Sequence, residues 1–146
     1  KSGQGHIRNT PMFVVNSDDR IEHVAADPGM VNDELLKLFT DIAALRNARQ
    51  DEYESFYYAA LIHLVFVKIH PFLDGNGRTA RLLEKWFLLE KLGDKALAVQ
   101  LERNYYNNLQ SYYRNIRELG LEYNQLDYSK SIPFLLMTIS GLKGFR

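Results

Sequence analysis

Within twelve residues, His70-Pro71-Phe72-Leu73-Asp74-Gly75-Asn76-Gly77-Arg78-Thr79-Ala80-Arg81 brings together one base, one carboxylate, two glycines around an asparagine, and two arginines. That inventory suits a site that holds a polyphosphate and activates a nucleophile beside it. Gly75 and Gly77 allow backbone angles that a β-carbon forbids, and let a ligand approach the main chain. The N–H groups that open the following helix favour an anion, and the Asn76 side-chain amide can donate to a phosphoryl oxygen. Arg78 and Arg81 fall on neighbouring positions of the first helical turns, where guanidinium forks suit phosphate better than ammonium groups do. Asp74 alone would repel an anion. The conflict disappears if it holds Mg²⁺, which is commonly bound by one carboxylate plus substrate phosphates. His70 is then the ordinary base of the loop, able to accept a proton near neutrality. The residues point to metal-assisted transfer of a phosphate-containing group to an incoming hydroxyl.

Taken alone, Asp74-Gly75-Asn76-Gly77 would be a turn capping a helix, so the argument rests on the joint spacing. A calcium loop is excluded because Arg78 stands where an EF-hand wants Asp or Asn. A P-loop is excluded because its Gly-x-x-x-x-Gly-Lys pattern does not occur. Phe72 is read as a core anchor that pins the loop. His63, seven residues before His70, is read as a buried, hydrogen-bonded histidine rather than half of a metal pair. The Tyr105-Tyr106 and Tyr112-Tyr113 pairs are read mainly as core, with Tyr105 and Tyr106 the candidates for flanking a nucleotide base by stacking.

The surrounding pattern is mainly helical. Met12 to Val15 and Arg20 to Val24 are β-prone runs on either side of Asn16-Ser17-Asp18-Asp19, predicting a small hairpin over about 10–25. Asp27-Pro28-Gly29 breaks the chain. Leu35, Leu38, Phe39, Ile42 and Leu45 keep helical spacing behind an N-cap at Asn32 or Asp33. A second helix, Asp51 to Ile69, carries Tyr53, Phe56, Tyr57, Ala60, Leu61 and Leu64 along one face and is apolar nearly all round, as a central buried helix would be. Pro71 stops it by excluding the preceding residue from the α region, and that residue is His70. A third helix runs from Asn76 or Gly77 to Gly93, a fourth from about Leu101 to Leu119, and a last from about Ser129 to Leu142 with Pro133 in its first turn. The expectation is one all-α domain over 1–146, a helical bundle with a small N-terminal hairpin and the motif loop at 70–81.

Eighteen basic residues balance eighteen acidic ones over 146 residues. No broad attraction to nucleic acid or to an acidic membrane follows, and neither is expected as a partner. Without cysteine the chain has no disulfides or thiolate metal sites and fits a reducing compartment, so a cytoplasmic location is expected. No apolar run reaches the roughly 18 residues of a membrane span, and no signal peptide is visible. The first residue is Lys1 rather than Met, which reads as the start of a fragment.

The twelve-residue run matches His-x-Phe-x-Asp/Glu-Gly-Asn-Gly-Arg-x-x-Arg, and the chain resembles the Fic family over nearly its full length. Ala59-Ala60-Leu61-Ile62-His63 to Ile69 is similar to that family's helix before the motif. Arg103-Asn104-Tyr105-Tyr106-Asn107-Asn108-Leu109 is similar to its downstream Arg-x-x-Tyr-x-x-x-Leu helix. Gly5-His6-Ile7-Arg8 and the hairpin sit where the family has its flap, which docks a target segment by strand pairing. The resemblance implies a Fic-like fold and transfer of AMP from ATP, the co-substrate, to a Ser, Thr or Tyr hydroxyl of a target protein, releasing pyrophosphate. His70 would deprotonate the hydroxyl and Asp74 would hold Mg²⁺ between the α- and β-phosphates. Gly75, Asn76 and Gly77 would form the anion hole, with Arg78 and Arg81 on the departing phosphates.

Relatives that transfer UMP, a terminal phosphate or phosphocholine, and removal of AMP, remain alternatives. The phosphate-transferring branch departs at Gly-Asn-Gly-Arg, which this chain keeps. A non-catalytic nucleotide- or peptide-binding domain is the alternative of another class, though a pure binder needs neither His70 nor Asp74. Many relatives carry an inhibitory Ser/Thr-x-x-x-Glu helix whose glutamate pairs with the second motif arginine. No glutamate here has Ser or Thr four residues before it. The brake is therefore expected in a separate antitoxin-like protein or in a helix upstream of Lys1.

Overall fold

In the computed structural model, which describes residues 5–141, the chain folds as helices around one central helix, with a two-stranded antiparallel sheet near the N-terminus. The hairpin pairs β1 (Phe13–Val15) with β2 (Ile21–Val24), Val14 opposite His23, with an irregularity between Val14 and Val15. The Asn16 side chain closes its turn by accepting from the backbone N–H groups of Asp18 and Arg20, an Asx-type arrangement. The second strand is tied to the body where Val24 N–H donates to the Leu121 carbonyl at 2.8 Å.

Helix α1 spans Val31–Asn47 and buries Val31, Leu35, Leu38 and Ile42. It starts earlier than an Asn32 or Asp33 cap would allow, because a 3₁₀ turn over Pro28–Met30 feeds directly into it. Asp27 is the residue that caps, accepting from Gly29 N–H at 2.9 Å. Helix α2 (Glu52–Ile69) opens with a reciprocal capping box between Asp51 and Glu54. It is the buried centre of the molecule: Ala59, Ala60, Leu64 and Ile69 have no exposed surface. The face expected to carry Tyr53 and Tyr57 inward is not so arranged, since both are exposed. They lie in the first two turns, where a phenol can remain in water.

Helix α3 (Asn76–Leu92) packs along α2 and ends at Gly93. The expected fourth helix is two, α4 (Leu101–Asn107) and α5 (Leu109–Arg117), broken at Asn108. The Asn108 side chain donates to the Asn104 carbonyl at 2.9 Å, and such local competition for backbone partners is how asparagine interrupts helices. Helix α6 (Ile132–Ser140) carries Pro133 in its first turn behind a 3₁₀ turn over Tyr128–Ser131. The expected end at Leu142 lies outside the described residues. Among the described residues no helix is long and apolar enough to cross a membrane.

Candidate active site

The motif occupies the junction between α2 and α3, and its first residue carries the unusual backbone. His70 caps α2 in the left-handed region, φ 52° and ψ 60°, which costs a non-glycine residue about 1–3 kcal/mol. Pro71 denies it the right-handed conformation. What holds it in place comes from far away in sequence. Arg8, only 3% exposed, donates Nε to the His70 carbonyl at 2.6 Å and Nη2 to the Ile69 carbonyl at 3.1 Å. It also bonds the Ala26 and Thr10 carbonyls at 2.5 and 2.8 Å, and its backbone N–H reaches the Pro71 carbonyl at 2.9 Å. The end of a helix leaves carbonyls without intrahelical partners. Here one planar, five-donor cation takes two successive carbonyls at the end of α2.

The base is partly buried beside the hairpin. Burial holds the His70 pKa below its ordinary value; the Val67 carbonyl opposes this, and the Arg8 charge adds to it. Its Nδ1 is buried, with no hydrogen-bond partner among the described residues. The ring meets that of His23 edge-on, centroids 5.8 Å apart and planes at 70°. A neutral imidazole is thus available below the pH at which an exposed histidine would charge.

The anion side is built by the start of α3. Gly75 is its N-cap at φ 88°, a conformation glycine adopts without penalty. A β-carbon on Gly77 would come within 3.4 Å of Arg81 Nη1, so the missing side chain keeps the approach to the guanidinium open. The first N–H groups of α3 have no carbonyl within the helix to receive them. Asn76 plays a different part from that expected of its side chain. Its Oδ1 accepts from Phe72 N–H at 2.9 Å and its Nδ2 donates to the Phe72 carbonyl at 2.7 Å. The amide is buried beneath the loop and clasps it, and what Asn76 can still offer an anion is its backbone N–H. Phe72 itself is half-buried, its ring 6.1 Å from that of Phe66.

His70, Gly77 and Arg81 share one cavity of about 250 Å³ with Val14 and His23 of the hairpin and with Tyr105, Tyr106 and Tyr112. Tyr105 is buried and Tyr106 is 79% exposed, so the two candidate base-flanking rings wall the cavity from opposite conditions. Arg81 is within 3.6 Å of Glu102. Asp74 and Arg78 are not among the cavity's lining residues. They are exposed and paired with each other at 3.0 Å, and Asp74 Oδ1 accepts from Gly75 N–H at 2.7 Å. Arg78 and Arg81 together line an adjoining groove with Lys85 and Arg103.

Among the described residues no group of three or more His, Cys, Asp or Glu side chains is placed to hold a metal. An exposed single carboxylate beside an anion cradle fits Mg²⁺ bound jointly by protein and phosphates, which requires no such group. His63 is core: Nδ1 meets Glu84 Oε2 at 2.7 Å and Nε2 meets the Tyr112 hydroxyl at 2.9 Å, all without exposed imidazole surface. Tyr105 hydroxyl donates to the same Glu84 carboxylate at 2.9 Å. Burial, with the Glu84 charge beside it, raises the Tyr105 pKa well above its ordinary value, so the phenol stays a donor. Sequence reasoning missed Glu84, and named Arg8 only as part of the flap, not as the clamp on the end of α2. Glu84 had a signal, a carboxylate in register with the buried Ala80, Phe87 and Leu88 of α3.

A family model described as the Fic/DOC family matches residues 1–88. The protein adenylyltransferase Fic of Culex quinquefasciatus is 34% identical over 109 residues, covering 73% of this chain and 20% of that protein. The protein of the same name in Drosophila grimshawi is 37% identical over 86 residues, 58% of this chain and 16% of that one. The chain thus spans a fifth or less of these curated relatives. A solved structure of a Fic domain containing signaling protein from Bacteroides thetaiotaomicron superposes with a TM-score of 0.68 at 24% identity, covering 95% of this chain and 53% of that one. That likeness bears on the fold.

Proposed function

The chain belongs to the Fic/DOC family, and from that premise we propose that it transfers AMP from ATP to a hydroxyl side chain of a target protein. The observation that carries this reading is a base and an anion cradle on one cavity, which is lined by His70 at the end of α2 and by Gly77 and Arg81 at the start of α3. The hydroxyl oxygen bonds to the α-phosphorus as its proton passes to His70. The bond from the α-phosphorus to the bridging oxygen breaks, and pyrophosphate leaves with the electron pair. Backbone N–H groups of α3 and the Arg81 guanidinium stabilise charge that develops on the phosphates, the largest rate term in this class of transfer. Arg78 supplies a second cation at the rim. Asp74 would hold Mg²⁺, which neutralises phosphate charge when bound.

The target docks at the hairpin in this reading. Among the described residues strand β1 is paired only to β2, and Phe13 and Val15 are exposed along it, which supports addition of an extended segment. Inhibition would come from a carboxylate presented to Arg81 by an antitoxin-like protein or an upstream helix.

The test is intact-mass analysis and adenine-labelled ATP with Mg²⁺, comparing the chain with His70→Ala, alone and in a lysate. The expected result is an AMP-sized adduct that His70→Ala abolishes while ATP binding is retained. Comparable transfer by the variant overturns the base assignment. Label carried from the γ-phosphate instead of adenine replaces AMP transfer by phosphate transfer.

A further inference from the structure

The hairpin places a second imidazole against the base. His23 lies on β2, is 2% exposed, and has Nε2 3.2 Å from the Val67 carbonyl. A carbonyl can only accept, so Nε2 of His23 carries the proton. The Nδ1 of the neutral ring is then a lone-pair acceptor, buried and without a partner among the described residues. Val67 is three residues before His70 at the open end of α2, where carbonyls need donors from outside the helix. The same carbonyl also favours the protonated form of His70, although His70 Nδ1 completes no hydrogen bond. Of the two rings in edge contact, His23 is the one that completes a hydrogen bond to this carbonyl.

We propose that His23 is a positioning residue for the base, occupying the Val67 carbonyl and pinning the hairpin against the His70 ring. Deprived of a full bond to that carbonyl, the His70 imidazolium is less stabilised, and His70 remains neutral to lower pH. The charged groups around the pair act in the same direction or at longer reach. Arg8 disfavours a charged His70. Lys68 of α2 and His70 both disfavour a charged His23, which burial already holds neutral down to about pH 3. Arg81 and Glu102 share the cavity and lie within 3.6 Å of each other. The hairpin that receives the target thus also sets the strength of the base.

This inference rests on the reading of His70 as that base. Its test is NMR titration of His70 and the tautomer of His23 in the full chain without nucleotide, for the unaltered chain, His23→Phe and His23→Gln. His23 should show the Nε2–H tautomer. His23→Phe keeps a ring over His70 but gives up the donor, so the His70 pKa should rise by about one unit as the Val67 carbonyl turns to it. His23→Gln restores a donor and should return the titration to that of the unaltered chain. The acid limb of the transfer rate should move with the His70 pKa. An Nδ1–H tautomer at His23, an unmoved His70 in His23→Phe, or a Gln variant that shifts as far as Phe overturns the proposal. Because the titration needs no ATP, those failures are distinct from an absence of AMP transfer by the unaltered chain, which would overturn the reading of the reaction instead.

Discussion

Replacing Arg8 should reveal how much of the motif's geometry is imposed from outside the motif. In Arg8→Ala the carbonyls of Ala26 and Ile69 lose buried, charged donors, and those of His70 and Thr10 lose donors at sites water can partly reach. A hydrogen bond to a charged group contributes about 1.5–3 kcal/mol. Counting the two buried bonds alone gives a loss of roughly 3–6 kcal/mol. Relaxation of His70 out of the left-handed region returns part of about 1–3 kcal/mol, so the net loss should be about 3–4 kcal/mol. At roughly 2–4 °C per kcal/mol for a chain of this size, the midpoint should fall by about 10 °C. Arg8→Lys keeps the charge but not the fork, and should recover less than half of the loss. Urea unfolding and thermal melting followed by circular dichroism read the stability. AMP transfer at a temperature where the variant remains folded reads the displacement of His70. A loss under about 1 kcal/mol, or a folded Arg8→Ala chain with undiminished transfer, would refute the claim that this clamp holds the base.

Two further outcomes follow from buried polar groups near the loop. Asn76→Asp keeps an acceptor for Phe72 N–H but sets a carboxylate oxygen against the Phe72 carbonyl in place of a donor. Stability should fall by about 2–3 kcal/mol with weakened ATP binding, and unfolding midpoints equal to the parent's would sink this account. Acid should also loosen the hairpin. The folded pKa of His23 is about 3 against an unfolded value near 6.5. The folded chain therefore binds fewer protons, and the stability present above the unfolded value is lost as pH falls toward the folded one. Between pH 7 and pH 5 the loss from His23 should be about 2 kcal/mol, with His70 adding in the same direction. His23→Phe should remove most of that slope in urea titrations at the two pH values; a parallel loss in both proteins would refute its origin in His23.

The parts of this molecule that could be read from its sequence are those fixed by neighbours along the chain. Pro71 and Gly75 punctuate the junction of α2 and α3, Gly93 closes α3, and the β-prone runs on either side of Asn16-Ser17-Asp18-Asp19 mark the hairpin. The parts that could not be read depend on partners far away. Arg8 lies 62 residues from His70, and nothing in Gly5–Thr10 says which carbonyls its fork will meet. The Asn76 amide can face a ligand or its own loop with equal local plausibility, and only the packed position of Phe72 decides it. The break at Asn108 turns on a choice between side-chain and backbone partners that propensity leaves nearly balanced.

The same distinction explains how a strained base can persist in the short link between α2 and α3. Local sequence excludes the wrong conformation at His70, because Pro71 forbids the right-handed one, but exclusion does not select the left-handed well. Selection comes from the carbonyls at the end of α2. Phe66 receives the His70 N–H within the helix, Val67 receives His23 from β2, and Ile69, His70 and Pro71 receive Arg8 from the N-terminal segment. Turning His70 to another backbone region would move its carbonyl away from a guanidinium that is already bonded on its other side to Ala26 and Thr10, and would move the Pro71 carbonyl away from the Arg8 backbone N–H. The geometry of the base is therefore a property of the contact between α2 and the segment that leads into the hairpin. A perturbation of that contact should be felt at His70 even where the twelve motif residues are untouched.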